Sequence, residues 1–203
     1  MLAILLFSLS AHEFAHAWSA TKLWDPTPKM QGRLTLNPIA HIDPIGLVML
    51  FLVHIWWAKP VIINPRYFKN PIRDELIVAL AWPFTNLAIA FLMMLAQQVI
   101  AQLNIHISYE YYQFMSLVAI YNVYLAIFNL LPLPPLDWYR IIQFLYPPIQ
   151  KFIIQYYYHI SIFIFASFVL FQRQLFGILD KISNEVLKFM YYTIQLIFTA
   201  FKI

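Results

Sequence analysis

Residues 1–23 read MLAILLFSLSAHEFAHAWSATKL, an apolar run interrupted by His12, Glu13 and His16. At about 1.5 Å per residue, a helix of this length reaches across a hydrocarbon core roughly 30 Å thick. No basic leader or small-residue cleavage site precedes the polar residues, so the run reads as a retained helix rather than a signal peptide. The segment Ala11-His12-Glu13-Phe14-Ala15-His16 has the form HExxH. Residues four apart share a helical face, so His12 and His16 can offer imidazole nitrogens to one tetrahedral ion while Glu13 flanks it. A lone histidine in a bundle is ordinarily just hydrogen-bonded. Three ionisable residues within five positions of a bilayer helix are different, because their charged forms cost about 2–3 kcal/mol each. A metal ion is the compensating partner that this spacing serves.

The rest of the chain makes lipid the main solvent. Of 203 residues, 62% are hydrophobic and 11% charged, against roughly a quarter charged in soluble domains, and the mean hydropathy is +0.68. The net charge is +4 with Lys and Arg scattered through connectors, which excludes a phosphate-tracking patch and hence nucleic-acid binding. With no cysteine, any metal must be held by His and carboxylate. Apolar segments fall at about 1–23, 45–58, 76–103, 114–131, 137–149, 158–176 and 186–201. Those at 1–23, 76–103, 114–131 and 158–176 are long enough to span, 186–201 is borderline, and 45–58 and 137–149 suit re-entrant or interfacial pieces. The expected fold is all-α: a polytopic helical membrane protein with about four to six transmembrane helices. No internal repeat or linker divides it, so residues 1–203 form one domain.

Charge sets the orientation. Residues 59–75 carry Lys59, Arg66, Lys69 and Arg73, whereas 104–113 carries only Glu110. The first connector is therefore expected on the cytoplasmic side and the second outside. The helix at 114–131 then runs inward and delivers Asp137 to the side of His16.

A catalytic zinc needs a third protein ligand. Asp137 ends the stretch Asn129-Leu130-Leu131-Pro132-Leu133-Pro134-Pro135-Leu136-Asp137, in which it is the only acid. Spacing alone fits a ligand and a helix cap ahead of 138–149 equally well. His41 and Asp43 read more readily as turn residues around Pro38 and Pro44 than as groups supporting a metal. His54, His106 and His159 stand alone, and Tyr156 to Tyr158 suit an aromatic belt.

Over about residues 8–145 the chain resembles the site-2 proteases, polytopic zinc metalloproteases that cut substrates within or near the membrane. The likeness lies in His12-Glu13-Phe14-Ala15-His16, Gly32-Arg33-Leu34-Thr35-Leu36-Asn37-Pro38, His41-Ile42-Asp43-Pro44-Ile45-Gly46, Ala58-Lys59-Pro60-Val61, Asn64-Pro65-Arg66, Pro83-Phe84-Thr85-Asn86 and the stretch from Asn129 to Asp137. The resemblance implies one zinc ion bound by His12, His16 and Asp137, Glu13 as catalytic acid/base, and Asn86 lining the substrate path. It leaves 150–203 as additional C-terminal membrane helices. The implied reaction is hydrolysis of peptide bonds of membrane-spanning substrates by a zinc-activated water, in a bacterial cell membrane with the active site towards the cytoplasm. The competing readings are a metal-binding membrane transporter and a catalytically inactive protease relative.

The chain departs from this pattern in one way. It has only three glycines, far below the ~7% average usage. Trp24, Trp82 and Trp138 stand where the family pattern has Gly, and Trp56 is a candidate fourth. Trp138 directly follows Asp137, where glycine would permit a close approach that an indole blocks. One cause covers all four positions: UGA codons rendered as tryptophan that the source reads as glycine. Genuine tryptophans would favour the inactive relative.

Overall fold

Asx-Pro pairs punctuate the first third of the chain, and each starts a helical turn. In Asp25-Pro26, Asn37-Pro38, Asp43-Pro44 and Asn64-Pro65 the side-chain oxygen accepts the N–H two residues on, at 2.8–3.2 Å. The proline meanwhile supplies a pre-set φ where no donor is needed. Asn70-Pro71 opens the longest helix, and the Asp74 carboxylate reaches back to the Asn70 N–H at 3.1 Å. An acid in the first turn also suits the helix dipole.

The computed structural model describes residues 2–53, 58–131, 138–146 and 148–201. Among these residues the chain is all-α, with α1 (Leu2–Lys22), α2 (Thr27–Met30), α3 (Pro44–Val53), α4 (Pro71–Gln102), α5 (Tyr109–Asn129), α6 (Trp138–Leu145), α7 (Ile149–Leu170) and α8 (Gln172–Phe201). Short 3-10 turns lie at Pro38–His41 and Pro65–Tyr67. The one extended pairing among the described residues is an antiparallel bridge between Ile42 and Ala58, with the Lys59 N–H donating to the His41 carbonyl at 2.9 Å. The excursion that contains α3 therefore begins and ends at one place, as a segment that dips in and returns must.

Three helices end in the same reverse turn, with paired 6→1 and 5→2 hydrogen bonds. At the end of α1, Asp25 N–H bonds Ala20 O and Trp24 N–H bonds Thr21 O; α2 repeats this with Arg33 to Pro28 and Gly32 to Lys29, and α4 with Ile105 to Ile100 and Asn104 to Ala101. The residue at the turn has φ +78° at Trp24, +67° at Gly32 and +50° at Asn104. A side chain other than glycine in that left-handed region costs roughly 1–2 kcal/mol, least for Asn.

α4 packs against both α1 and α5, and α8 covers α5. The buried face of α4 carries Val78, Trp82, Asn86, Ala90 and Gln97, whereas Ile77, Phe84, Leu92 and Val99 are exposed. Polar groups inside and large apolar groups outside are the arrangement of a helix in lipid. By length and apolarity α4 and α5 can cross a membrane. On α1, buried Ser8, Ala11, Ala15 and Ser19 keep the helix surface thin enough for close packing. Polar pins then set the registers: Asn122 Nδ2 donates to Ser8 Oγ at 2.8 Å, and Gln97 Nε2 donates to Tyr112 O and Ser116 Oγ.

The helices differ from the apolar runs mainly where amphipathic sequence adjoins them. α8 starts at Gln172 rather than near 186, because Arg173, Asp180, Lys181 and Glu185 interrupt hydropathy without interrupting helix periodicity. α7 likewise starts at Ile149 and ends at Leu170, earlier than the 158–176 run.

Asp25 is fully buried and joins two segments: Oδ1 accepts from Thr27 N–H at 2.9 Å and Oδ2 from Asn64 N–H at 2.8 Å. Asp25→Ala is expected to lower stability by about 2–4 kcal/mol, since two N–H donors lose a charged acceptor. Asp25→Asn, which keeps one acceptor oxygen, should lose about half of that. Equilibrium unfolding in detergent micelles measures both.

Candidate active site

The site begins with the α1 face that carries His12 and His16. Both are buried, at 4% and 5% exposure, and so is Glu13 at 6%. The two imidazole rings lie 5.0 Å apart, nearly perpendicular, as the i, i+4 spacing requires. His16 Nδ1 lies 3.0 Å from the Val78 carbonyl oxygen. A carbonyl only accepts, so Nδ1 carries the proton and donates, and Nε2 holds the lone pair. Metal-ligating histidines are ordinarily oriented in this way. Pro83 lies inside α4 and deprives the Ala79 carbonyl, the neighbour of the carbonyl that His16 uses, of its helical donor.

Glu13 is fixed from another direction. The Val61 N–H donates to Glu13 Oε2 at 3.0 Å. Val61 belongs to the extended segment that follows the Ile42–Ala58 bridge, so the loop carrying α3 and the acid on α1 are tied together. His41 is buried at the end of the Pro38–His41 turn, where its Nε2–H donates to the Thr35 carbonyl at 2.8 Å. Burial is the largest influence on His41 and holds its pKa below the usual histidine value; the Thr35 bond opposes this, and the nearby positive charge of Arg33 adds to the lowering. Asp43 caps α3 through the Ile45 and Gly46 N–H groups, in line with its reading as a turn residue.

Asn86 is fully buried on α4, and among the described residues neither its Nδ2 nor its Oδ1 has a hydrogen-bond partner. One turn earlier on the same face, the Trp82 indole stacks on the His12 ring with centroids 4.5 Å apart and an interplanar angle of 28°. Asp137, His54 and Trp56 lie outside the described residues. Among the described residues, no group of three His, Cys, Asp or Glu side chains forms a complete metal site. Two buried imidazoles on one helix face, one with its tautomer set by a carbonyl, nevertheless fit a divalent transition ion that binds nitrogen at about 2.0–2.1 Å.

The backbone partners Val61 and Val78 carry no side-chain signal and were not legible in the sequence. Asp25 was legible in principle, as an acid directly before a proline in an apolar context.

Among curated proteins, the chain is 44% identical over 148 residues to a protein of Bacillus subtilis (strain 168) provisionally named zinc metalloprotease YwhC, covering 71% of this chain and 68% of the relative. It is 33% identical over 147 residues to a protein of Mycobacterium tuberculosis provisionally named zinc metalloprotease Rip2, and 29% identical over 143 residues to Rip2 of Mycolicibacterium smegmatis; each covers 68% of this chain and 54% of the relative. The chain thus spans about half the length of the Rip2 proteins. No family model and no solved structure matches it. These likenesses, with the HExxH helix, define a zinc metalloprotease, an enzyme that hydrolyses peptides with Zn2+ as its cofactor. The chain belongs to the site-2 protease family.

Proposed function

We propose that this chain is an intramembrane endopeptidase that cuts membrane-spanning protein substrates, with Glu13 as general acid/base, and His12, His16 and Asp137 as the ligands of one zinc ion. The observation that carries the reading is the pair of opposed restraints on α1: Val78 O fixes the tautomer of His16, while Val61 N–H fixes the carboxylate of Glu13. A merely structural trio of polar residues would not need its lone pairs aimed in this way. When bound, zinc lowers the pKa of water towards ~7 and polarises a carbonyl.

Each side chain then has a task. His12 and His16 would hold the ion through neutral nitrogens, and Asp137 would supply a negative charge that partly offsets that of the ion. Glu13 takes a proton from the attacking water and hands it to the leaving amine. Asn86 presents an amide donor and acceptor to the backbone of an unwound substrate segment, which accounts for a buried amide with neither end paired among the described residues. The proposed topology has four to six membrane crossings, of which α4 and α5 are long and apolar enough, and the basic connector at 59–75 supports a site facing the cytoplasm, where water can enter.

The decisive experiment is zinc analysis of the purified protein together with cleavage of a single-span substrate in vesicles, with and without a chelator. Zinc at one ion per chain and chelator-sensitive cleavage are expected; a zinc-loaded protein that cleaves none of a panel of single-span substrates ends the reading. Asn86→Ala should lower kcat/KM by roughly 10–100-fold through the loss of two substrate hydrogen bonds, with zinc content unchanged. Equal kcat/KM in the variant would remove Asn86 from the site.

A further inference from the structure

Two tryptophans are poorly served by their surroundings: Trp24 sits in a left-handed turn, and Trp82 is buried with its N–H unpaired among the described residues. The end of α1 repeats, bond for bond, the reverse turns that end α2 and α4. In those two, the left-handed residue is Gly32 or Asn104, the two residue types that ordinarily take it. In the first it is Trp24 at φ +78°. Burial does not hold it there, because Trp24 is 68% exposed with the Lys69 ammonium 5.3 Å from its ring centroid.

Position 82 presents the converse fault. The Trp82 indole is fully buried, yet among the described residues its Nε1–H has no acceptor. Its ring lies flat on His12, on the side of α4 that also carries Asn86. It thereby covers one face of the His12 ring. Composition points to one cause for both faults: three glycines in 203 residues, where average usage would give about fourteen. UGA differs by a single base from the tryptophan codon UGG and from the glycine codon GGA, so it is the codon that two decoding systems can divide between these residues.

We propose that residues 24 and 82 are glycine in the protein as its source makes it, both encoded by UGA, and that the glycine at 82 leaves the ring face of His12 open beside Asn86. The first part stands on backbone geometry, packing and composition alone; the second rests on the proposed protease reading.

The test joins the codons of the gene to mass spectra of peptides from the protein isolated from source cells. UGA at both positions and peptides lighter by an indole-bearing side chain are expected. UGG at either position, or an indole in either peptide, overturns the proposal. Purified protein that carries tryptophan at both positions provides the physical arm. Trp24→Gly should raise Tm by a few degrees and Trp24→Ala should not, because only the first relieves a left-handed backbone; equal gains overturn the assignment of that turn. In zinc-loaded protein, Trp82→Gly and Trp82→Ala should each bind a peptide hydroxamate at least 10-fold more tightly; unchanged binding in both overturns the open-face clause. Hydroxamate binding and peptide masses do not depend on turnover, so they stand apart from any failure to observe cleavage.

Discussion

Glu13→Gln is expected to reduce peptide cleavage by roughly 10²–10⁴-fold, the usual contribution of a positioned acid/base, while zinc content stays at the parent level. Glutamine keeps the shape of the side chain and an oxygen that can still accept the Val61 N–H, so the link between α1 and the extended segment survives. The amide cannot take up a proton, so the fall is in turnover rather than in folding or metal binding. The measurement pairs initial rates on a single-span substrate in vesicles with metal analysis of the same preparation. Undiminished cleavage would show that another group moves the proton. A transporter with the same ligands would keep its ion flux through this substitution, which separates the two readings in one experiment.

Asp137→Asn is expected to weaken zinc binding by more than the roughly 10–100-fold that loss of an outer hydrogen-bond partner costs, because a ligand itself loses its charge. The choice of asparagine matters. Asn caps a helix as well as Asp does, so a residue that merely caps α6 would tolerate the change with both zinc affinity and stability intact. A ligand would not. Competition titration against a zinc chelator, read beside thermal unfolding of the metal-free protein, distinguishes the outcomes: lost affinity with unchanged metal-free stability is the expected pair, and unchanged affinity would return Asp137 to the role of a cap.

Much of the helical layout was legible because lipid imposes a simple code. Runs such as 76–103 and 114–131 announce α4 and α5 by length and apolarity alone. The HExxH spacing likewise predicts a shared face for His12 and His16, and their rings do meet at 5.0 Å. Amphipathic stretches were harder to bound, and α8 shows why: its charged first half lowers hydropathy without breaking the helix. The groups that orient the site escaped entirely. Val61 and Val78 act through main-chain N–H and C=O, atoms that every residue has, and only the tertiary fold decides which of them come within reach. Trp24 was marked by its resemblance-derived motif, but the physical reason, a left-handed turn shared with Gly32 and Asn104, needed backbone angles.

The contact between Asn122 and Ser8 joins residues far apart in sequence but one helical turn from the histidine pair. It acts as a ruler: sliding α5 along α1 by a single turn, about 5.4 Å, would break it and carry everything downstream of α5 to another depth. The height at which the chain leaves α5 at Asn129 is therefore measured from Ser8, on the very helix that bears the imidazoles. On the proposed ligand set, helix docking must precede assembly of the metal centre, and an isolated first helix has no means of completing it.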